Sequence, residues 1–284
     1  MNRWVLGARP RTLPAAAVPV VVGSAVAFRE GGFVAWRGLA ALVVALGVQI
    51  GTNYVNDYAD GVRGTDDVRV GPVRLVASQL ASPESVKRAA VVSFAVAAAA
   101  GLALAAAAGW QLVLVGAAAI LAGWLYTGGP RPYGYAGLGE LFVFVFFGLV
   151  ATVGTTFVHL ERIVALSVVV AVPVGLWAVA LLVVNNLRDR LGDTAAGKRT
   201  LAVRLGDNAT RALFVTCLVA GVAVAALVTP VAGLAFAVAF VPAHRVWRGA
   251  TGKDLIEVLQ RTALVQLSGG LLLAAGIMLE RAGR

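Results

Sequence analysis

Long apolar runs dominate this chain and restrict what it can fold into. Nine runs approach or reach the roughly 17 to 25 residues that an α-helix needs to cross the hydrocarbon of a bilayer. They lie at about 13–28, 36–55, 86–107, 110–127, 138–158, 163–184, 210–228, 230–244 and 262–280. The strands of a membrane barrel would instead alternate in polarity, so these runs favour helices. The sequence therefore predicts an all-α membrane protein with about nine transmembrane helices.

The composition agrees with this fold class. Of the 284 residues, 60% are hydrophobic and only 13% are charged, which leaves too little polar surface for a soluble domain. We expect one intramembrane domain over residues 1–284. The first apolar run follows Arg9-Pro10-Arg11 and lacks a clear small-residue cleavage site, so no cleavable signal peptide is expected. The single Cys217 cannot form an intrachain disulfide and is interpreted as a small apolar filler.

Basic residues are distributed unevenly between the two sides of the predicted bundle. With nine spans and an inside N-terminus, the inner segments carry 19 of the 24 Lys and Arg residues. This asymmetry follows the positive-inside rule. We therefore expect a multi-pass protein of the cytoplasmic membrane, with its polar connections in the cytoplasm and its C-terminus outside. The net charge of +10 is explained by this topology, and no nucleic-acid partner is expected.

The most polar stretch of the chain is NNLRDRLGDTAAGKRTLAVRLG, at residues 185–206. Asn185, Asp189 and Asp193 are four residues apart, so in a helix their side chains share one face. Basic residues follow at Lys198 and Arg199. Carboxylates that hold a hard divalent cation, followed by cations that hold phosphates, are the parts that a diphosphate site requires.

An earlier stretch repeats this pattern near the end of the second apolar run. It reads NYVNDYADGVRGTDD at 53–67, where Asn56 and Asp60 have the same asparagine-to-aspartate spacing. A later acid follows, either Asp66 or Asp67. Two such copies predict two metal sites that face each other.

Acidic residues so close to apolar runs are energetically costly if they contact lipid. An aspartate at the bilayer centre costs roughly 2.5 to 3.5 kcal/mol on the insertion scale. Asp57, Asp60, Asp189 and Asp193 must therefore lie at the headgroups or in a wet cavity, and their clustering favours a central cavity. Magnesium would offset their mutual repulsion. The alternative, that these acids only cap helices beside a cytoplasmic connection, stays open.

Both acidic stretches together resemble the two aspartate-rich motifs of the UbiA superfamily of intramembrane prenyltransferases. RPRTLP near the start, DGVRGTDD followed by VGPVRLV, and the ending AGKRTLAVRLG look like members that prenylate 1,4-dihydroxy-2-naphthoate in menaquinone synthesis. The common superfamily motif has an aspartate where this chain has Gly64. The members that prenylate the naphthoate have the later acid, as this chain does at Asp66 or Asp67.

The resemblance implies a UbiA-type bundle around a central cavity and a magnesium-dependent transfer reaction. A polyprenyl group would pass from its diphosphate to the naphthoate, with release of pyrophosphate and carbon dioxide. The implied Mg²⁺ ligands are Asn56, Asp60, Asp66, Asn185, Asp189 and Asp193. The implied diphosphate-binding residues are Lys198, Arg131 and Arg199. The implied catalytic residues are Asp57, Asp60, Tyr126 and Asp189, where Asp57 or Asp60 takes the phenolic proton and Tyr126 matches a tyrosine near the site.

Other functions compete with this interpretation. The acceptor could be 4-hydroxybenzoate or another aromatic compound on the same fold. A CDP-alcohol phosphotransferase is disfavoured, because its DGxxAR-type array does not occur in the sequence. A cation or lipid transporter also places acids in the membrane, but here the acids lie at helix ends beside Lys198 and Arg199. The partners that the resemblance implies are a polyprenyl diphosphate and the naphthoate, and the apolar runs add the lipid bilayer.

Overall fold

The computed structural model describes residues 2–64 and 73–282, and within these ranges the chain is helical and contains no strand. The helices are α1 (Arg3–Ala8), α2 (Pro14–Arg29), α3 (Ala35–Val62), α4 (Pro83–Ala108), α5 (Gln111–Leu125), α6 (Gly139–Val143), α7 (Ala151–Leu160), α8 (Ala165–Ala195), α9 (Leu201–Val228), α10 (Ala235–Trp247) and α11 (Asp254–Ala282). Short 3₁₀ turns occupy Pro10–Thr12, Tyr133–Ala136 and Pro230–Leu234, and a π-helical turn at Phe144–Val150 joins α6 to α7. The predicted all-α fold is confirmed. Asp66 and Asp67 lie outside the described residues.

Seven helical segments in the described ranges are long and apolar enough to cross a membrane. The N-terminal helices, Arg3–Thr12 and Pro14–Arg29, meet at a bend of 53° and make an eighth span if they count as one. The predicted run at 110–127 forms α5, which is apolar but only 15 residues long. An integral membrane protein of seven to eight candidate spans follows.

The first part of each acidic stretch continues the helix that precedes it. α3 extends beyond the apolar run to Val62, and α8 extends to Ala195. The expectation that polar connections begin at residues 56 and 185 is therefore wrong for 56–62 and 185–195, which are helical. A helix satisfies its own backbone hydrogen bonds, so it can project polar side chains into a site without leaving buried backbone groups unpaired.

The main core surrounds α8, which packs against α2, α7, α9 and α11. Its fully buried Trp177 is the largest side chain in this core. A methyl group on Gly221 of α9 would lie 2.5 Å from the indole Nε1, and one on Gly269 of α11 would lie 2.9 Å from the ring. Glycine at these two positions therefore lets α9 and α11 close around the indole.

A second close approach fixes the α6–α7 span against α8. A methyl group on Gly148, in the π-helical turn, would lie 2.6 Å from the Cα of Gly175. The two backbones are thus in contact at this crossing, as small residues permit in membrane helices. The crossing sets the position of α6 relative to the polar end of α8.

Candidate active site

The two acidic motifs meet where α3 and α8 end. Lys198 Nζ lies 3.0 Å from Asp60 Oδ1 and 3.9 Å from Asp193 Oδ1. The side chains of Lys198 and Asp60 are each less than a tenth exposed. One buried ammonium group therefore lies between a carboxylate of each motif, so the two motifs face each other across Lys198. The two metal sites stay a prediction.

The turn after α8 explains how Lys198 returns to this position. Gly197 has a φ of 73°, in the left-handed region that glycine adopts readily. Lys198 N donates to Asp193 O at 2.8 Å, the six-to-one hydrogen bond of a Schellman ending. The local sequence Gly197-Lys198 thus ends the helix and directs the lysine towards the acids.

Tyr135 completes this cluster, although no motif in the sequence pointed to it. Its hydroxyl donates to Asp60 Oδ1, and the Lys198 Nζ lies 4.6 Å from its ring centroid. Its carbonyl accepts from the backbone N–H of Arg199 at 2.9 Å. Burial, and next the Asp60 carboxylate, raise the pKa of Tyr135 above its usual value, so the hydroxyl remains a donor near neutral pH.

Arg63 fastens the loop that carries Tyr135. It follows the last residue of α3 and donates from Nη1 to Thr127 O and from Nη2 to Gly129 O, both at 2.5 Å. Nη1 also lies 3.3 Å from the Tyr135 hydroxyl. Arg63 therefore holds the loop at 127–137 against the end of the first motif.

Asp57 faces a different segment. Its Oδ2 accepts from the Leu75 N–H at 2.8 Å, and its Oδ1 accepts from the Val76 N–H at 3.0 Å. Asp57 and Leu75 are both fully buried. This carboxylate anchors the chain between α3 and α4, and its predicted role as a base stays a prediction.

Other predicted ligands already have hydrogen-bond partners in the chain. Asn56 Oδ1 accepts from the Thr127 hydroxyl at 2.5 Å. Arg188, which sequence reasoning missed, donates to both oxygens of Asp189 at 2.8 Å and to Asn185 Oδ1 at 2.8 Å. Its side chain is 1% exposed, so Arg188 supplies a second buried positive charge to the later motif.

The remaining predicted residues lie around this cluster. Arg131 and the side chain of Arg199 are exposed on the loops beside it. Tyr126 packs its ring edge-on against Tyr133, with centroids 5.6 Å apart. Its carbonyl accepts from the backbone N–H of Gly134 at 3.0 Å, and the adjacent Tyr135 donates to Asp60. The two rings therefore lie beside the loop segment that contacts the acids.

The donor set fits a metal that is shared with a phosphate ligand. Within residues 2–64 and 73–282, no three His, Cys, Asp or Glu side chains come together as a ready-made metal cage. Asp60 and Asp193 nevertheless converge on one point, the Lys198 ammonium group. Magnesium is usually held by one or two carboxylates together with water and substrate phosphates. The observed pair satisfies that requirement.

The buried Asp60 and the partly buried Asp193 come from two helix ends and share one lysine inside an all-α membrane bundle. This arrangement defines a candidate site for an anionic, metal-bound substrate. The profile of the UbiA prenyltransferase family matches residues 16–265, and the chain belongs to this family.

Relatives of known name and structure extend this result. A 1,4-dihydroxy-2-naphthoate octaprenyltransferase from Mycobacterium tuberculosis is 51% identical over 281 residues, covering 97% of this chain and 96% of the relative. The apo structure of a UbiA homolog from Aeropyrum pernix K1 superposes with a TM-score of 0.71 at 15% identity and covers 94% of this chain and 97% of its own. A UbiA homolog from Archaeoglobus fulgidus bound to GPP and Mg²⁺ gives 0.67 at 15% identity, over 96% and 99%. These structures share the fold of this chain.

Proposed function

We propose that this protein transfers a polyprenyl group from a polyprenyl diphosphate to 1,4-dihydroxy-2-naphthoate. The observation that carries the proposal is the convergence of Asp60 and Asp193 on Lys198. The full-length similarity to the Mycobacterium tuberculosis naphthoate prenyltransferase supports the choice of acceptor. The products would be pyrophosphate, carbon dioxide and demethylmenaquinol.

The diphosphate would lie between the acids and the basic residues. Lys198 would contact its oxygens, with Arg131 and Arg199 moving in from the exposed loops. Mg²⁺ would be held by Asn56, Asp60, Asn185, Asp189 and Asp193, with Asp66 or Asp67 as a further ligand. When bound, the metal supplies charge neutralisation that makes the diphosphate a better leaving group. The Archaeoglobus fulgidus homolog bound to GPP and Mg²⁺ supports this assignment.

The protein side chains would then direct the transfer. Lys198 stabilises negative charge that develops on the leaving oxygen as the carbon–oxygen bond breaks. The face of Tyr126 stabilises the allylic cation while the surrounding helices exclude water. Asp57 or Asp60 accepts the phenolic proton as the electron-rich naphthoate ring forms the new carbon–carbon bond. The ring carboxylate then leaves as carbon dioxide, the electrons of the broken bond return to the ring, and the proton returns to the ring oxygen to give the quinol.

The same proposal includes the membrane topology. All 284 residues would form one domain with nine spans, and the short α5, which packs against α3 and α4, would be the ninth. The N-terminus and the site would face the cytoplasm, and the C-terminus would lie outside the cytoplasmic membrane. The concentration of 19 of 24 basic residues on one side supports this orientation.

Product formation by the purified full-length chain tests the function. The protein is incubated in detergent with Mg²⁺, a polyprenyl diphosphate and 1,4-dihydroxy-2-naphthoate, and the products are followed by mass spectrometry. We expect a decarboxylated prenyl naphthoquinol that disappears without Mg²⁺ and in Asp189→Ala. Asp254→Ala, which removes an exposed acid at the start of α11, is the matched control and should retain activity.

Two outcomes of this experiment would contradict the proposal. Prenylation of 4-hydroxybenzoate but not of the naphthoate would assign a different acceptor to the same fold. No product with any acceptor and no release of pyrophosphate would favour the transporter alternative.

A further inference from the structure

A buried carboxyl group beside the site has no assigned role. Glu140 lies in the first turn of α6 and is only 7% exposed. Its Oε1 accepts from Asn186 Nδ2 of α8 at 2.9 Å. Its Oε2 is inaccessible to solvent and has no hydrogen-bond partner among the described residues.

An orphaned carboxyl oxygen indicates a missing partner. Buried polar atoms in folded proteins are almost always hydrogen-bonded, and leaving one unpaired is costly. The Asn186 amide already fixes one oxygen of Glu140, so the other is held in a defined direction. A donor supplied by a ligand would remove the cost.

The position of Glu140 identifies the kind of ligand. A methyl group on the preceding Gly139 would lie 3.1 Å from Cε2 of Tyr126, so the start of α6 is in contact with this ring. The carbonyl of Tyr126 accepts from the backbone N–H of Gly134 at 3.0 Å, and the next residue, Tyr135, donates its hydroxyl to Asp60. Glu140 therefore lies beside Tyr126, which links it to the loop that contacts the acidic cluster.

Charge excludes the diphosphate as the partner of Glu140. As a carboxylate, Glu140 presents an acceptor at Oε2 and repels the negatively charged phosphate oxygens, which are acceptors as well. The phosphates are expected beside Lys198. The aromatic acceptor, in contrast, carries hydroxyl groups that can donate.

We propose that Glu140 and Asn186 form the acceptor subsite, in which Glu140 Oε2 accepts a hydrogen bond from a ring hydroxyl of the aromatic substrate and Asn186 positions the carboxyl group. This inference rests on the proposed prenyl transfer. It also assigns a basis for specificity, because an aromatic compound without that hydroxyl leaves the buried carboxyl group unpaired and is strongly rejected.

Steady-state kinetics of the full-length enzyme test the subsite. In Glu140→Gln, the Asn186 donor selects the new amide oxygen, so an NH₂ group replaces the acceptor that faces the hydroxyl. The KM for the naphthoate should rise about tenfold or more, as expected for a lost hydrogen bond to a charged group. The KM for the prenyl diphosphate should stay within about twofold, since Lys198 is unchanged.

Competitive inhibitors provide a second readout that a general structural defect would not produce. The compounds 2-naphthoate, 1-hydroxy-2-naphthoate and 4-hydroxy-2-naphthoate separate the contributions of the two hydroxyl groups. The wild type should bind one of the hydroxylated compounds at least about tenfold more tightly than 2-naphthoate. Glu140→Gln should lose that preference.

Gln266→Met is the matched control. Gln266 is a fully buried side chain of α11 whose two polar atoms also have no partner among the described residues, and its replacement should leave both KM values unchanged. If Glu140→Gln does not fold, Asn186→Ala decides the question, because it removes the group that orients the carboxyl and should raise only the KM for the naphthoate.

An unchanged naphthoate KM, an equal rise in both KM values, or an unchanged inhibitor preference in the variant would overturn the subsite. A wild type that does not prenylate naphthoate at all would instead refute the proposed function on which the subsite rests.

Discussion

Among single residues, Lys198 connects the two acidic motifs most directly. Removing its ammonium group in Lys198→Met removes the proposed contact to the phosphate oxygens on which negative charge develops. Loss of one such preorganised contact costs about 2.7 to 4 kcal/mol of transition-state stabilisation, so we expect kcat/KM for the prenyl diphosphate to fall by roughly a hundredfold or more. Steady-state assays should show no such loss for Lys253→Met, which removes an exposed lysine between α10 and α11.

Activity of Lys198→Met within about threefold of the wild type would show that the lysine does not contact the substrate.

Tyr135 allows its hydroxyl and its ring to be tested separately. Tyr135→Phe removes the hydrogen bond to Asp60 and keeps the ring beside Lys198, so kcat/KM should fall about two- to tenfold. Tyr135→Ala also removes the cation–π contact, so its loss should be larger. Equal activity of the two variants would mean that the ring does not position Lys198.

At the scale of the helices, the crossing of Gly148 and Gly175 holds the α6–α7 span against α8. In Gly148→Ala the new methyl group meets backbone, which cannot move aside as a flexible side chain can. We expect a destabilisation of about 1 to 3 kcal/mol, typical of overpacking. Thermal unfolding in detergent measures this change.

The same span contains a matched control for that substitution. A methyl group on Gly154 would meet no atom of the described residues within 4 Å. Alanine also has a higher helix propensity than glycine. Gly154→Ala should therefore unfold at or above the wild-type temperature. If the two variants unfolded alike, the close crossing would not be required for stability.

The loop at 127–137 is held to α3 by Arg63, and its local stability should depend on this side chain. Arg63→Gln removes the two hydrogen bonds to Thr127 O and Gly129 O. Amide exchange within this loop should become about tenfold faster, measured by hydrogen–deuterium exchange. Arg88→Gln, at an exposed position of α4, should leave exchange in the loop unchanged. Equal exchange rates in the wild type and both variants would show that Arg63 does not hold the loop.

For the whole molecule, apolar length and charge were sufficient to predict the helical class. They underestimated the lengths of α3 and α8, because an apolar run ends at its first polar residues while the helix does not. The spacing of four residues between Asn185, Asp189 and Asp193 correctly indicated a common helix face, since α8 continues to Ala195. Local patterns are reliable here because they depend only on helix geometry.

Contacts between distant segments could not be predicted in this way. Tyr135 and Asp60 are 75 residues apart, and no spacing rule brings an aromatic residue of a glycine-rich turn to the end of α3. The sequence does not distinguish Glu140 from other acidic residues, whereas its burial and its contact with Asn186 do. The packing of the helices determines these contacts.

The central claim is that both acidic motifs act together on one metal-bound diphosphate. Binding of a non-reactive polyprenyl thiolodiphosphate to the purified full-length chain, with and without Mg²⁺, tests it most directly. We predict Mg²⁺-dependent binding in the wild type that is lost in Asp60→Asn and equally in Asp189→Asn, one variant from each motif. Tight binding without Mg²⁺, or a loss confined to one motif, would contradict the claim.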